Sequence, residues 1–186
     1  MYLFGYGSLI NLQSAQKTFT RKLFQSDLIP VTIKGYEKVW NSIEFISFED
    51  EKIVNGVFLN LKKDEKKSTN GVIVKITDEE LEALKLREKN YSCIIIKASS
   101  VTNIDLPEDI VAFMTTKEDK IALNTTDNCF IAAKYIDILK DAFTHYDENF
   151  VKIYKECLHS FPFDIKEGSY KFSDPTQNKF AREGTK

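Results

Sequence analysis

The sequence predicts an α+β fold, and three observations carry the prediction. Runs of strand-like density occupy most of the chain up to Thr115, one helix with a full start signal interrupts them at Thr77, and the periodicity becomes helical beyond Thr126.

In chain order, Met1-Tyr2-Leu3-Phe4 is a short apolar strand that stops at Gly5-Tyr6-Gly7-Ser8, and residues 11–19 form a brief helix behind that turn. Residues 28–39 and 53–61 are dense in apolar and β-branched side chains, as strands are, with Asn55-Gly56 read as a turn or bulge between them. Asn70-Gly71 is a second turn signal, ahead of a strand at 72–76. Thr77 and Glu80 make a capping box, in which each side chain satisfies an amide that the first helical turn leaves without a partner. A helix therefore starts there and runs through Leu81 and Leu84 to about Glu88. Ser92-Cys93-Ile94-Ile95-Ile96 is nearly continuous in apolar residues, the pattern of a central strand, and residues 109–115 supply another. Ile131, Tyr135, Ile138, Leu139 and Ala142 then share one helical face, and Phe150, Ile153, Tyr154, Cys157 and Leu158 a second. From Ser173 onward, with Pro175 and Gly184 among polar residues, there is little to bury, and this stretch is expected to be irregular or mobile. The chain thus divides into one domain, 1–172, and a polar tail, 173–186.

Twenty-six basic and twenty-eight acidic residues give a formal charge of −2, so no global field draws in nucleic acid or anionic lipid. Lys62, Lys63, Lys66 and Lys67 do cluster, but Asp64 and Glu65 interrupt them, as in a solvated loop. The three cysteines, Cys93, Cys129 and Cys157, are far apart and odd in number, which fits a reducing, cytoplasmic setting. There is no zinc spacing, His145 and His159 lie in a helical-looking segment, and no metal is expected. The apolar N-terminus has no basic flank and is broken by two glycines, so it reads as a buried strand and not a signal peptide; no window has the length of a transmembrane helix.

Two features can carry chemistry. On a helix that begins at Thr77, Glu88 lies seven residues after Leu81 and four after Leu84, on the stripe that faces the core. A carboxylate there is costly when ionised, which suits a general acid or base; if the helix frays early, Glu88 is exposed or simply pairs with Arg87 or Lys89. Gly5-Tyr6-Gly7-Ser8 has glycines at alternate positions, so a ligand's carboxylate or carbonyl oxygen can approach successive backbone amides, unless the segment is only a tight turn. It lacks the Gly-Lys-Ser/Thr ending of a P-loop and the third glycine of a dinucleotide fingerprint, so nucleotide binding is not indicated.

Taken together, Phe4-Gly5-Tyr6-Gly7-Ser8-Leu9-Ile10 and, some eighty residues on, Leu84-Lys85-Leu86-Arg87-Glu88-Lys89-Asn90-Tyr91 resemble the gamma-glutamylcyclotransferase-like superfamily. That family has an N-terminal Tyr-Gly-Ser-Leu/Asn turn and an Arg-Glu-x-x-Tyr-like segment. Gly35-Tyr36, Trp40-Asn41, Asn55-Gly56-Val57 and Tyr135 within Ala-x-Tyr-Ile-Asp agree with it, up to roughly Ser160. Lys85 stands where aspartate is usual, Asn90 and Asp141 where glycine is common, and the His-Arg-Gly segment of the glutathione-specific ChaC-type branch is absent.

The resemblance implies a mixed sheet or partial barrel of five to six strands with peripheral helices. It implies a cofactor-independent enzyme in which the α-amine of a γ-glutamyl group attacks its own side-chain carbonyl, closing 5-oxoproline and expelling an amine, amino acid or peptide. Glu88 is then the catalytic acid/base. Tyr6, Gly7, Ser8 and Leu9 form the substrate-binding turn, and Tyr91 and Tyr135 are hydroxyl donors. Arg87 is a charge partner or a substrate anchor, with the outward, pairing position favoured; Cys93 on an apolar strand reads as a packed thiol. The partner is a small γ-glutamyl substrate, without nucleic acid or membrane, and the protein is a monomer or weak homodimer. The alternative is a module that binds γ-glutamyl or similar small molecules and retains the fold without turnover.

Overall fold

The first strand, β1 (Tyr2–Gly5), is apolar on both faces because it lies inside the sheet: Leu3 and Phe4 are fully buried, and each such side chain contributes about 1.5–3 kcal/mol. The structure is a computed structural model that describes residues 1–49, 52–156, 158 and 161–181. β1 gives way to a short turn of 3-10 helix, Ser8–Ile10, and then to α1 (Leu12–Gln16), whose start is capped by Asn11 Oδ1 accepting from the Ser14 amide at 3.0 Å.

Two long strands dominate the sheet. β2 (Ile29–Ser47) and β3 (Ile53–Lys75) pair antiparallel along their length, with register shifts between Lys34 and Tyr36 and between Trp40 and Ser42. Gly35, at the first of these shifts, takes a positive φ of 84°, which a β-carbon would resist. Such irregularities bend a long hairpin. Asn55-Gly56 and Asn70-Gly71, read from the sequence as turn signals, both lie inside β3. Their glycines serve close packing: a β-carbon on Gly71 would stand 2.4 Å from the Gly5 carbonyl oxygen, and one on Gly56 2.6 Å from Ile46 Cδ1.

α2 (Asp78–Arg87) starts at the predicted capping box, with Thr77 Oγ1 accepting from the Glu80 amide at 3.2 Å and Glu80 accepting from the Thr77 amide at 3.0 Å. β4 (Ser92–Ile96) and β5 (Ile110–Met114) come next. β4 is an edge strand and not the central one its composition suggests: β5 covers one side only, and Ile95 is 68% exposed. Cys93, expected to be packed, is exposed on this edge. β6 (Cys129–Ala132) contains Ile131, which helical periodicity assigns to the next helix; α3 (Ala133–Ala142) begins two residues later, with Tyr135, Ile136, Leu139 and Ala142 buried. α4 (Glu148–Glu156) buries Phe150 and Tyr154. Cys157, His159 and the tail beyond residue 181 lie outside the described residues.

β7 (Asp164–Lys166) and β8 (Lys171–Phe172) join the sheet. The stretch from Ser173, expected to be irregular, instead carries a helix, α5 (Pro175–Ala181). Asp174 Oδ1 accepts from the amides of Thr176 and Gln177 at 2.8 and 3.1 Å, so an aspartate cap and a proline at the first helical position start a helix that composition alone hides. The sheet is open and mixed, in the order β4-β5-β1-β3-β2-β8, with β6 beside β3 and β7 beside β6, giving eight strands among the described residues rather than five or six. β1 runs parallel to β5 and antiparallel to β3. Among the described residues no helix is long and apolar enough to cross a membrane.

Candidate active site

The turn after β1 is fixed from behind by hydroxyls. Tyr6 Oη donates to the Phe113 carbonyl at 2.6 Å, Tyr154 Oη donates to the Tyr6 carbonyl, and Tyr146 Oη donates to the Ile10 carbonyl at 2.5 Å. Within the turn, the Gly7 and Ser8 carbonyls accept from Ile10 and Asn11 at 3.1 and 3.0 Å. Leu9 folds back over Gly5, where a β-carbon would come within 2.7 Å of Leu9 Cβ. Tyr135 reaches over from α3: its hydroxyl would be 2.6 Å from a β-carbon on Gly7, so that glycine is what admits it. The ring is held edge-on by Trp40 and Phe58, with centroids at 5.9 and 4.9 Å.

α2 approaches the same turn. Glu88 is its C-terminal cap residue, with its amide on the Leu84 carbonyl at 2.8 Å, so the helix persists far enough to keep the side chain on the Leu84 side. Its carboxylate is 19% exposed and pairs with Arg87 Nε at 3.1 Å. Arg87 does not take the outward position expected of it. It is buried, donates through Nη1 to Thr18 Oγ1, and approaches Ser8 Oγ at 3.5 Å through Nη2, bridging the turn, Thr18 and Glu88. A guanidinium whose fork meets three groups can only do this from inside.

Glu88, Arg87, Tyr6, Gly7, Ser8, Leu9, Tyr91 and Tyr135 all line one cavity of about 90 Å³. Burial pushes the Tyr6 hydroxyl far above its ordinary value, and the Glu88 charge pushes it further. Tyr91 is raised well above the usual range by burial and then by the charges of Glu44 and Glu88, so it stays a neutral donor between two acids. Its oxygen accepts from Ser42 Oγ at 3.0 Å, and Ser42 in turn shares a 2.5 Å bond with Thr115 Oγ1.

Two lining residues escape the sequence reading. Glu44 of β2 is 3% exposed and accepts from Asn90 Nδ2 at 2.8 Å, while Gln177 of α5 is buried beside it and also bonds to it. The signal for Glu44 is a reversed alternation: Ser42, Glu44 and Ile46 face in, while Phe45 is 49% exposed. That pattern is readable only once β2 is known to continue past Val39. The signal for Gln177 is the Asp174-Pro175 helix start. Among the described residues, no three His, Cys, Asp or Glu side chains cluster as a metal site would require.

Comparison with solved structures assigns this open mixed sheet and its helices a gamma-glutamyl cyclotransferase-like fold. The chain superposes on a gamma-glutamyl cyclotransferase with a TM-score of 0.63 at 13% identity, covering 98% of each chain. A Homo sapiens protein described as uncharacterized gives 0.64 at 13% identity over 95% of each chain. YkqA from Bacillus subtilis gives 0.60 at 21% identity over 88% of this chain and 55% of its own. No protein-family model matches the chain, and no curated protein matches it.

Proposed function

We propose that the protein is a γ-glutamyl cyclotransferase, which closes the γ-glutamyl group of a small amide or peptide to 5-oxoproline and releases the amine. The observation that carries this reading is the meeting of Glu88 with the turn formed by residues 6–8 on one cavity. Backbone amides of that turn hold the substrate's α-carboxylate or the developing oxyanion, with the Tyr135 hydroxyl above Gly7 donating to the same group. Glu88, steadied by Arg87, takes the proton that the α-ammonium must lose before its nitrogen can attack. Tyr91 accepts from Ser42 and keeps its own proton to donate into the cavity.

So few groups suffice because the attack is intramolecular. A near-attack conformation enforced by the cavity supplies roughly 7–11 kcal/mol of the barrier that a bimolecular aminolysis would face. The bonds formed and broken balance without oxidant, reductant or cofactor.

The test is incubation with γ-glutamyl dipeptides, glutathione and γ-glutamyl amines, with 5-oxoproline detected by mass spectrometry. The wild-type protein forms the lactam from at least one of them, and Glu88→Gln lowers that rate about 10²–10⁴-fold. Wild-type turnover in Glu88→Gln removes the role given to Glu88. Binding of every candidate with turnover of none returns the protein to a ligand-binding module.

A further inference from the structure

The cavity holds a second carboxyl group that the proposed reaction has so far left unused. Glu44 projects from the inward face of β2, and its neighbours come from every element around it. Asn90, in the loop after α2, and Gln177 on α5 donate neutral amide hydrogens to it. Lys120 lies near enough to oppose its burial, though its ammonium sits 3.9 Å over the Phe45 ring, while Asp174 acts in the other direction. Across the cavity stand Tyr91, whose hydroxyl senses both acids, and Glu88.

We propose that Glu44 is the acid that protonates the departing nitrogen, while Glu88 serves the attacking one. The assignment rests on the cyclotransferase reading. It comes from contrast: Glu88 lies against a guanidinium at 3.1 Å, an interaction of the ionised carboxylate, whereas Glu44 is 3% exposed and bonded to two neutral amides, whose support of its charge is outweighed by its enclosure. Two carboxyl groups in one site whose surroundings favour opposite protonation states divide into base and acid. Burial does raise the Glu44 pKa above its ordinary value, in agreement. A structural role alone does not call for an ionisable group, whose enclosure as a charge is costly.

The proton balance calls for two such groups. The α-nitrogen begins as an ammonium and ends as a lactam N–H, shedding two protons; the amide nitrogen ends as a free ammonium, gaining two. Glu88 accepts the first, freeing the lone pair that forms the new C–N bond as the carbonyl π electrons move to oxygen. When that oxyanion collapses, the old C–N bond breaks toward the departing nitrogen, which takes the Glu44 proton. The ring nitrogen's second proton restores Glu44, and the proton on Glu88 leaves with the amine. With the glutamyl head at the turn and Glu88, the γ-amide and what it carries fall to the part of the lining that Glu44 supplies.

The experiment compares Glu44→Gln with wild type on a γ-glutamyl alkylamide, whose leaving nitrogen needs a proton, and on γ-glutamyl-4-nitroanilide, whose leaving group departs far more readily without one. An acid role predicts a fall of about 100-fold on the alkylamide and under about 10-fold on the nitroanilide, with the alkaline limb of the kcat/KM profile lost. It also predicts that rates across a series of substituted anilides depend more steeply on leaving-group basicity in the variant. Equal losses on both substrates, or none on either, overturn the assignment while leaving the cyclotransferase reading intact. Absence of 5-oxoproline from the wild type with every substrate overturns both. Circular dichroism and thermal melting of Glu44→Gln establish that the folded variant is the one measured.

Discussion

Gly7→Ala tests the geometry of the site through a single atom. The new β-carbon would stand 2.6 Å from Tyr135 Oη, about 0.8 Å inside the 3.4 Å at which ordinary contact begins, while the next ring atom, Cζ, is at 3.9 Å. Gly7 has a φ of −108° and a ψ of −134°, and the collision with the Tyr135 hydroxyl is the part of the cost that a double variant isolates. The Tyr135 ring cannot retreat, being 4% exposed and held edge-on between Trp40 and Phe58. Overpacking of this kind costs about 1–3 kcal/mol, or roughly 2–4 °C in Tm per kcal/mol for a chain of this size. On the proposed cyclotransferase reaction, displacing the hydroxyl by that distance lowers lactam formation on the order of 100-fold. The assay is urea unfolding of four proteins: wild type, Gly7→Ala, Tyr135→Phe and the double variant. Because Tyr135→Phe deletes the one atom in collision, Gly7→Ala costs less in that background than in wild type, and the cycle yields a coupling of about 1–2 kcal/mol. An equal cost for Gly7→Ala with and without the hydroxyl refutes the contact and, with it, the placement of Tyr135 over the turn after β1.

The remaining predictions concern the charged groups. Burial raises the folded-state pKa of Glu44 above its ordinary 4.5, so the stability tied to its protonated form is fully present below that value and is lost as the pH climbs through the raised one. Glutamine does not titrate, so the Tm of Glu44→Gln minus that of wild type grows more positive across this window; a flat difference contradicts the buried placement. Arg87→Met removes the guanidinium that joins Glu88, Thr18 and Ser8. Because Glu88 keeps some contact with water, the loss is about 2 kcal/mol rather than the roughly 3–5 kcal/mol of a fully enclosed pair. Denaturant titration measures it, and it shrinks in a Glu88→Gln background.

The features legible in the sequence are those whose causes are local. The Thr77–Glu80 capping box lies within four residues and fixes where α2 begins, hence which side Glu88 takes. Features set by distant partners are not legible there. Asn70-Gly71 has the local chemistry of a turn, yet Gly71 is a glycine because Gly5 lies against it, a contact between the first and third strands. The apolar run 92–96 has the composition of a central strand, and only the order of the sheet puts it at an edge. Helical spacing puts Arg87 outside because its neighbour faces in. At the end of a helix, however, consecutive residues are not bound to opposite faces, and Thr18 and Ser8, far away in sequence, draw the guanidinium inward.

The same distinction separates the two carboxyl groups of the cavity. Glu88 receives its cation from the adjacent residue, so its partner is local in sequence even though Thr18 and Ser8 orient the guanidinium. Glu44 receives its amides from Asn90 and Gln177, and the second arrives only when α5 docks. Asp174 governs that docking twice over: it caps the start of α5 and forms an ion pair with Lys89, the neighbour of Glu88. The residue that starts the last helix therefore also anchors it beside Glu88, and that anchoring brings Gln177 to Glu44. Closing the cavity and making the two acids unlike are, in this fold, the work of one helix.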